Sequence, residues 1–263
     1  MQAVVLPARA GYLWAKQGWL LFRSQPMAFF SWAMFVSLLL MTASITPPVG
    51  PLVFVILMPA VTFMTMAACR QASSGQKMLL GMWFTPLKQK GLFKRLLAMG
   101  AVYILLCVIL GLIAFMPFMD ELSQSVQTAT TSNNLLPLLE AVRTPMIIFA
   151  VLYVLMASIF WYAPALVGFH DVTLMQSLFF SAIACWRNKW AFIVYGLVWL
   201  SVFLCIDLAM DLLTLIGLSE SAAATIQVPI NIAAGGVMYC SFYPNYVSVF
   251  EAQQVTESPS IQE

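Results

Sequence analysis

Asp207 and Asp211 lie four residues apart inside an otherwise apolar stretch, 190–216. On a helix that spacing puts both carboxylates on one face. A carboxylate held at bilayer depth costs roughly 2.5–3.5 kcal/mol on insertion scales, so such a residue calls for a purpose. One purpose is chemical: a proton or cation site, or a contact with a substrate amine. The other is structural: the helix ends before Asp211, and Asp207 hydrogen-bonds to a neighbouring helix. Counted from the start of the stretch at 1.5 Å per residue, Asp207 sits roughly 26 Å in.

The remaining chemistry-bearing residues are sparse. His170 and Asp171 are adjacent, and an aspartate can orient an imidazole for proton transfer. They read equally as the end of one helix and the start of the next. His170 is the single histidine, which excludes a multi-histidine metal site. Arg23, Arg95 and Arg187 each close a semi-apolar segment just before a long apolar run. Arginines so placed bind phosphates of anionic lipids or snorkel as topology anchors. Cys69, Cys107, Cys185, Cys205 and Cys240 match no zinc or disulfide spacing and read as small packing residues. The sequence contains no phosphate-binding glycine loop, serine-nucleophile motif, zinc motif or ATPase signature. No catalytic residue, cofactor or metal is therefore assigned.

The elements that must position these residues follow from composition. Of 263 residues, 62% are hydrophobic and 8% charged, against about 25% charged in an ordinary soluble domain. That balance sets aside an ordinary soluble enzyme, a disordered protein and a nucleic-acid-binding domain. About 20 apolar residues cross a bilayer as a helix. Six stretches qualify: 27–46, 49–68, 96–118, 146–168, 190–216 and 226–250. Backbone groups cannot go unsatisfied in lipid, so these are helices, and no alternating strands suggest a barrel. The fold class expected is all-α: a polytopic integral membrane protein with six transmembrane helices. Residues 1–250 form one membrane domain, and 251–263 read as a disordered tail.

Basic residues orient the spans. Arg9, Lys16 and Arg23 precede the first span. Arg70, Lys77, Lys88, Lys90, Lys94 and Arg95 separate the second and third, and Arg187 and Lys189 separate the fourth and fifth. Eleven of the twelve basic residues thus fall on one side, and only Arg143 on the other. The positive-inside rule makes that side, and both termini, cytoplasmic. The first apolar run is long enough to span and reads as a retained signal anchor.

The basic-side connections are long and semi-apolar. Residues 12–23, 77–95 and 173–187 precede the odd spans, and each is expected to be an interfacial amphipathic helix. Thr173 and Gln176 make a capping-box pattern at the start of the last. Pro59, Pro164 and Pro244 fall in the even spans. The chain therefore reads as three units of interfacial helix, span, span, either true repeats or an array of anchored hairpins. Ala233-Ala234-Gly235-Gly236 offers a close-packing face to another helix.

Several motifs carry a resemblance. They are Pro7-Ala8-Arg9-Ala10-Gly11-Tyr12-Leu13-Trp14, Phe22-Arg23-Ser24-Gln25-Pro26, Phe160-Trp161-Tyr162-Ala163-Pro164-Ala165-Leu166-Val167, and 177–188, SLFFSAIACWRN. Together they resemble a family of uncharacterised proteobacterial multi-spanning inner-membrane proteins, over nearly the whole chain. The resemblance implies an inner-membrane location and brings no catalytic residue with it. The layout of hairpins and interfacial helices is also similar, as layout alone, to the membrane domain attached to some bacterial glycerophosphodiester phosphodiesterases. The reading that follows is a non-enzymatic scaffold or accessory subunit that binds membrane lipids or a membrane protein partner. The alternative is a small proton-coupled or cation transporter using Asp207 and Asp211. No nucleic acid is expected as a partner, and self-association is left open.

Overall fold

The protein is described here by a computed structural model covering residues 3–132 and 134–251. The expected tail lies outside the described residues from 252 onward. Glu251, assigned above to that tail, instead closes a π-helical turn, Val247–Glu251. The helices are α1 (Ala10–Ser24), α2 (Pro26–Ile45), α3 (Val49–Ser73), α4 (Leu92–Phe115) and α5 (Met119–Ser132). They continue with α6 (Leu136–Phe160), α7 (Ala163–His170), α8 (Leu174–Arg187), α9 (Lys189–Leu215) and α10 (Glu220–Tyr246). Six helical segments are long and apolar enough to cross a membrane, and no strand occurs among the described residues. The chain is an all-α polytopic membrane protein.

Local chemistry explains most boundaries. α2 starts with Pro26 in its first turn, where a missing N–H costs nothing. Pro47 and Pro48, joined by a cis bond, turn the chain into α3. The capping box of α8 forms as read: Thr173 Oγ1 accepts from the Gln176 N–H, and Gln176 Oε1 accepts from the Thr173 N–H. Three expectations change. Of the segment 77–95, only 92–95 are α-helical, as the start of α4; 77–91 hold 3-10 turns at Leu80–Met82 and Thr85–Lys88 ahead of a left-handed Gly91. Pro86 removes a donor, and Gly81 and Gly91 lose more backbone entropy in a helix than other residues, so this short segment does not form one. The polar stretch after the third span is helical too: α5 carries Asp120 and Glu121 in its first turn and packs on α6. α6 starts at Leu136, well before the expected 146.

The three even-span prolines behave differently. Pro59 and Pro244 sit inside continuous helices, whereas Pro164 lies in the first turn of α7, just past a break from α6. Ser181 of α8 repairs that break. Its Oγ accepts from the Tyr162 N–H at 3.0 Å and donates to the Ser158 carbonyl at 3.0 Å.

The packing order is cyclic. α8, which precedes the α9–α10 hairpin, packs on α6 and α7. The connector 76–88, which precedes α4, packs on the α2–α3 hairpin: Trp83 stacks on Trp32 with ring centroids 4.4 Å apart. α1, which precedes α2, closes the ring by packing on α9 and α10. Each basic-end segment thus covers the hairpin before it, and the first covers the last. Small residues make this closure fit. A Cβ on Gly11 would overlap the Ala191 carbonyl, and one on Gly18 would overlap Ser241.

Two junctions of the ring share one device. Gln25, between α1 and α2, accepts from the Met78 N–H at 2.7 Å and donates to the Gln76 carbonyl at 2.7 Å. Asn188, between α8 and α9, accepts from the Leu6 N–H at 2.8 Å and donates to the Val4 carbonyl at 2.9 Å. Each amide grips an extended segment at residues i and i+2. The third such corner holds Gly91, which has no side chain to offer. An Arg95–Asp171 ion pair joins the elements there instead.

Candidate functional site

The ring encloses a core formed by the even-span helices. α3 is buried over most of 59–69, α7 over Ala163–Val167, and α10 with the π-helical turn after it over much of 236–250. Their C-terminal ends meet at the basic end of the bundle. Phe169 packs on Phe63 at 5.1 Å and on Tyr246 at 5.6 Å, ring centroid to centroid. The His170 ring lies 6.2 Å from that of Tyr246. Over them the Arg70 guanidinium stands 5.0 Å from the Phe169 ring.

An open pocket of about 540 Å³ sits at this junction, its walls including Phe63, Ala67, Arg70, Gln71, Lys88 and Phe169. Two features mark it chemically. Arg70 and Lys88 are cations without an ion pair among the described residues, and the Glu251 carboxylate lies close enough to act on His170 and Tyr246. The junction also concentrates unpartnered polar atoms. Six buried side-chain atoms lack a hydrogen-bond partner among the described residues. Four belong to these helix ends: Gln71 Oε1, His170 Nε2, Asn245 Nδ2 and Tyr246 Oη. Stranding such an atom costs about 1–3 kcal/mol, so native proteins keep few of them. Of the four, only Gln71 lines the pocket; His170, Asn245 and Tyr246 lie behind its wall. The π-helical turn that follows Tyr246 is a geometry often found at functional sites.

The expected residues are placed otherwise. Asp207 and Asp211 are exposed on α9 and line none of the described cavities. Asp207 Oδ1 accepts from Gln227 Nε2 of α10 at 2.7 Å, which ties one helix to the other. Asp207→Asn preserves that acceptor and is expected to leave thermal stability in detergent unchanged. Asp207→Leu should cost about 0.6 kcal/mol, the average for such bonds between membrane helices. A loss of several kcal/mol in either variant would mean that the carboxylate bears a larger structural load.

His170 and Asp171 do not pair. Asp171 takes a left-handed turn (φ 53°) after α7, and its carboxylate meets Arg95. Aspartate tolerates that conformation, and the turn points the two side chains to different partners. Thr173, not Asp171, caps α8. Arg95 is therefore engaged within the chain, in an exposed pair worth about 0–1 kcal/mol. Arg23 and Arg187 are exposed in the last turns of α1 and α8. Beside Arg187, Lys189 stands over the rings of Trp186 (4.9 Å) and Trp190 (5.9 Å).

The residues that sequence reasoning passed over are Arg70, Gln71, Lys88 and Tyr246. Arg70 and Lys88 counted only as topology signals. Nothing local distinguishes them, because the junction joins positions about 100 and 75 residues apart along the chain.

The chain is 32% identical over 261 residues to a probable inner membrane protein of Burkholderia thailandensis, covering 97% of this chain and 96% of that one. No family model and no solved structure matches the chain.

Proposed function

Since this chain belongs to the same family of inner-membrane proteins as the Burkholderia protein, we propose that it is a non-enzymatic membrane scaffold that holds anionic phospholipid headgroups. In this reading the basic end and both termini face the cytoplasm, as the distribution of Lys and Arg favours. The headgroup occupies the junction of α3, α7 and α10. The observation that carries the reading is that Arg70 and Lys88 line one open pocket together with apolar Phe63, Ala67 and Phe169. Phosphate oxygens accept from Arg70 and Lys88, while Phe63, Ala67 and Phe169 provide an apolar wall for the glycerol and upper acyl chain.

Each basic residue near an anionic leaflet contributes about 1 kcal/mol. Two of them correspond to roughly a thirtyfold preference for anionic over zwitterionic lipid. The test is native mass spectrometry of the protein in nanodiscs of mixed phosphatidylglycerol and phosphatidylcholine. The expected result is retained phosphatidylglycerol, reduced at least tenfold in Arg70→Gln/Lys88→Gln and little changed in Arg23→Gln/Arg187→Gln. Equal retention of both lipids, or retention indifferent to the Arg70 and Lys88 changes, overturns the proposal.

A further inference from the structure

α2, α3 and α10 surround a second space, inside the bundle, of about 80 Å³. Its walls include Phe29, Trp32, Thr65, Asn231, Tyr239 and Cys240. Small residues create it. A Cβ on Gly235 would meet nothing within 4 Å, while one on Gly236 would come within 3.0 Å of the Phe22 ring and 3.2 Å of Ala33. The α10 glycine pair therefore packs within the chain on one side and leaves room on the other.

The polar groups of this cavity are few and specific. Trp32 Nε1 donates to Thr65 Oγ1 at 2.8 Å, and Thr65 passes its own proton to the Val61 carbonyl at 2.8 Å. Both donors are thereby used. Asn231 Oδ1 is buried and has no partner among the described residues. Asn231 Oδ1 asks for a donor, and the Ser37 and Tyr239 hydroxyls in the same wall can donate or accept. No Asp, Glu, Lys, Arg or His lines it, so a charged guest would have no counter-ion and would meet the full cost of burial. The rest of the wall is aromatic and aliphatic. About 10–15 Å³ admits a water, and a dry cavity of 150 Å³ admits benzene. A space of about 80 Å³ lies between them and suits a guest of a few heavy atoms.

One wall of the cavity is movable in principle. Phe29 and Trp32 line the space and carry Trp83 on their rings, Trp83 lying 4.4 Å from Trp32 and 5.8 Å from Phe29, centroid to centroid. Trp83 belongs to the 76–88 connector, which has no α-helix and is latched by the Gln25 amide. Short 3-10 turns hold less cooperatively than a helix packed along its length, so this connector is the weakest part of the cavity's surroundings.

We propose that this cavity binds one small neutral molecule with a hydrogen-bond donor on an apolar body, of the size of a short-chain alcohol, admitted when the 76–88 connector lifts Trp83 from Trp32 and Phe29. The donor bonds to Asn231 Oδ1, and the apolar body lies against Phe29, Trp32 and Tyr239. The site is separate from the headgroup junction and stands or falls without it.

The probe is trifluoroethanol at low millimolar concentration, with the full chain in lipid nanodiscs. Cys240, itself part of the wall, serves as a native reporter through its rate of modification by methyl methanethiosulfonate, read by mass spectrometry. The expected results are a saturable bound fluorine-19 signal and at least tenfold protection of Cys240. Gly235→Leu, which fills the space, should abolish the bound signal, and Trp83→Ala should raise the Cys240 rate at least tenfold. A fluorine signal that never saturates, or a Cys240 rate in the unmutated chain that trifluoroethanol leaves unchanged, overturns the site: the cavity then holds water alone. This second readout needs no variant, so a Gly235→Leu chain that fails to fold does not rescue the idea. An unchanged Cys240 rate in Trp83→Ala overturns the entry route.

Discussion

Gly18→Ala is expected to destabilise the protein by about 3 kcal/mol, at the upper end for overpacking, although it adds a single methyl group to a good helix former. The added Cβ would come within 2.6 Å of the Cα of Ser241 on α10 and closer still to its Cβ. Backbone must then move, because no flexible side-chain tip is available to yield. Two hydrogen bonds depend on the same contact: Tyr195 Oη to Ser241 Oγ at 2.6 Å, and Trp14 Nε1 to Ser248 Oγ at 2.8 Å. Unseating α1 strains both. The expected reading is a fall in melting temperature of about 6–12 °C in detergent, taking the scaling of a chain of this size. Gly196→Ala is the control with the opposite sign. Gly196 lies inside α9, and nothing stands within 4 Å of its would-be Cβ. Relief of glycine's conformational entropy should there stabilise the helix by about 0.5–1 kcal/mol. If both variants shift the melting temperature alike, close approach of α1 to α10 is not what holds the ring shut.

Asn188→Leu is the second large effect expected. The amide is 1% exposed and holds Leu6, Val4 and the Ala184 carbonyl together. Leucine matches it in size and removes all three bonds, leaving the Leu6 N–H and the Val4 carbonyl without partners. At about 1–3 kcal/mol for each stranded group, the loss is about 2–6 kcal/mol. Val4 keeps one tie, its N–H to the Val249 carbonyl at 2.9 Å, so the segment should loosen locally before the bundle melts. Hydrogen exchange reads this directly: amide protection around Leu6 should fall at least thirtyfold, which corresponds to about 2 kcal/mol. Gln25→Leu, the counterpart at the other latched corner, is partly solvated. Water replaces some of what it loses, and a penalty of about 1 kcal/mol is expected. Undiminished protection at Leu6 in Asn188→Leu would show that packing of α1 alone fixes the N-terminal segment.

The two latches also bear on whether the three hairpin units are repeats. Gln25 and Asn188 occupy the same place in their units, ahead of the first residue of α2 and of α9. Each grips the extended entry to a basic-end segment: Gln25 holds 76–78, and Asn188 holds 4–6. Two independent corners using one geometry support a common unit. The middle unit departs from it at two points, with Gly91 at the corner and 3-10 turns in place of a helix.

Much of this architecture is legible along the chain, and the reason is that its energetics are one-dimensional. Whether a segment crosses a bilayer depends on summed transfer free energies over about 20 consecutive residues. The six spans therefore follow from hydropathy alone, and the sidedness of the basic residues follows from counting. The Thr173–Gln176 capping box is equally local, since both partners lie within one helical turn. Pro86 announces the failure of the middle segment to form a helix, but only if its missing donor is weighed against the few residues available on either side.

What the sequence by itself determined, then, is the number of spans and the local caps. What only the tertiary structure decided is which face of each span turns inward. In a soluble helix a polar stripe marks the outside, whereas in lipid the outward face is as apolar as the core, so composition around the helix is silent. Asp207 and Asp211 could be read as lining a path until packing put them on the outside of α9. Arg70, His170 and Tyr246 could not be read together at all, because their meeting depends on three helix ends and on small residues such as Gly11 and Gly18 that let α1 close the ring. Steric fit between distant segments leaves no periodicity in the chain that produces it.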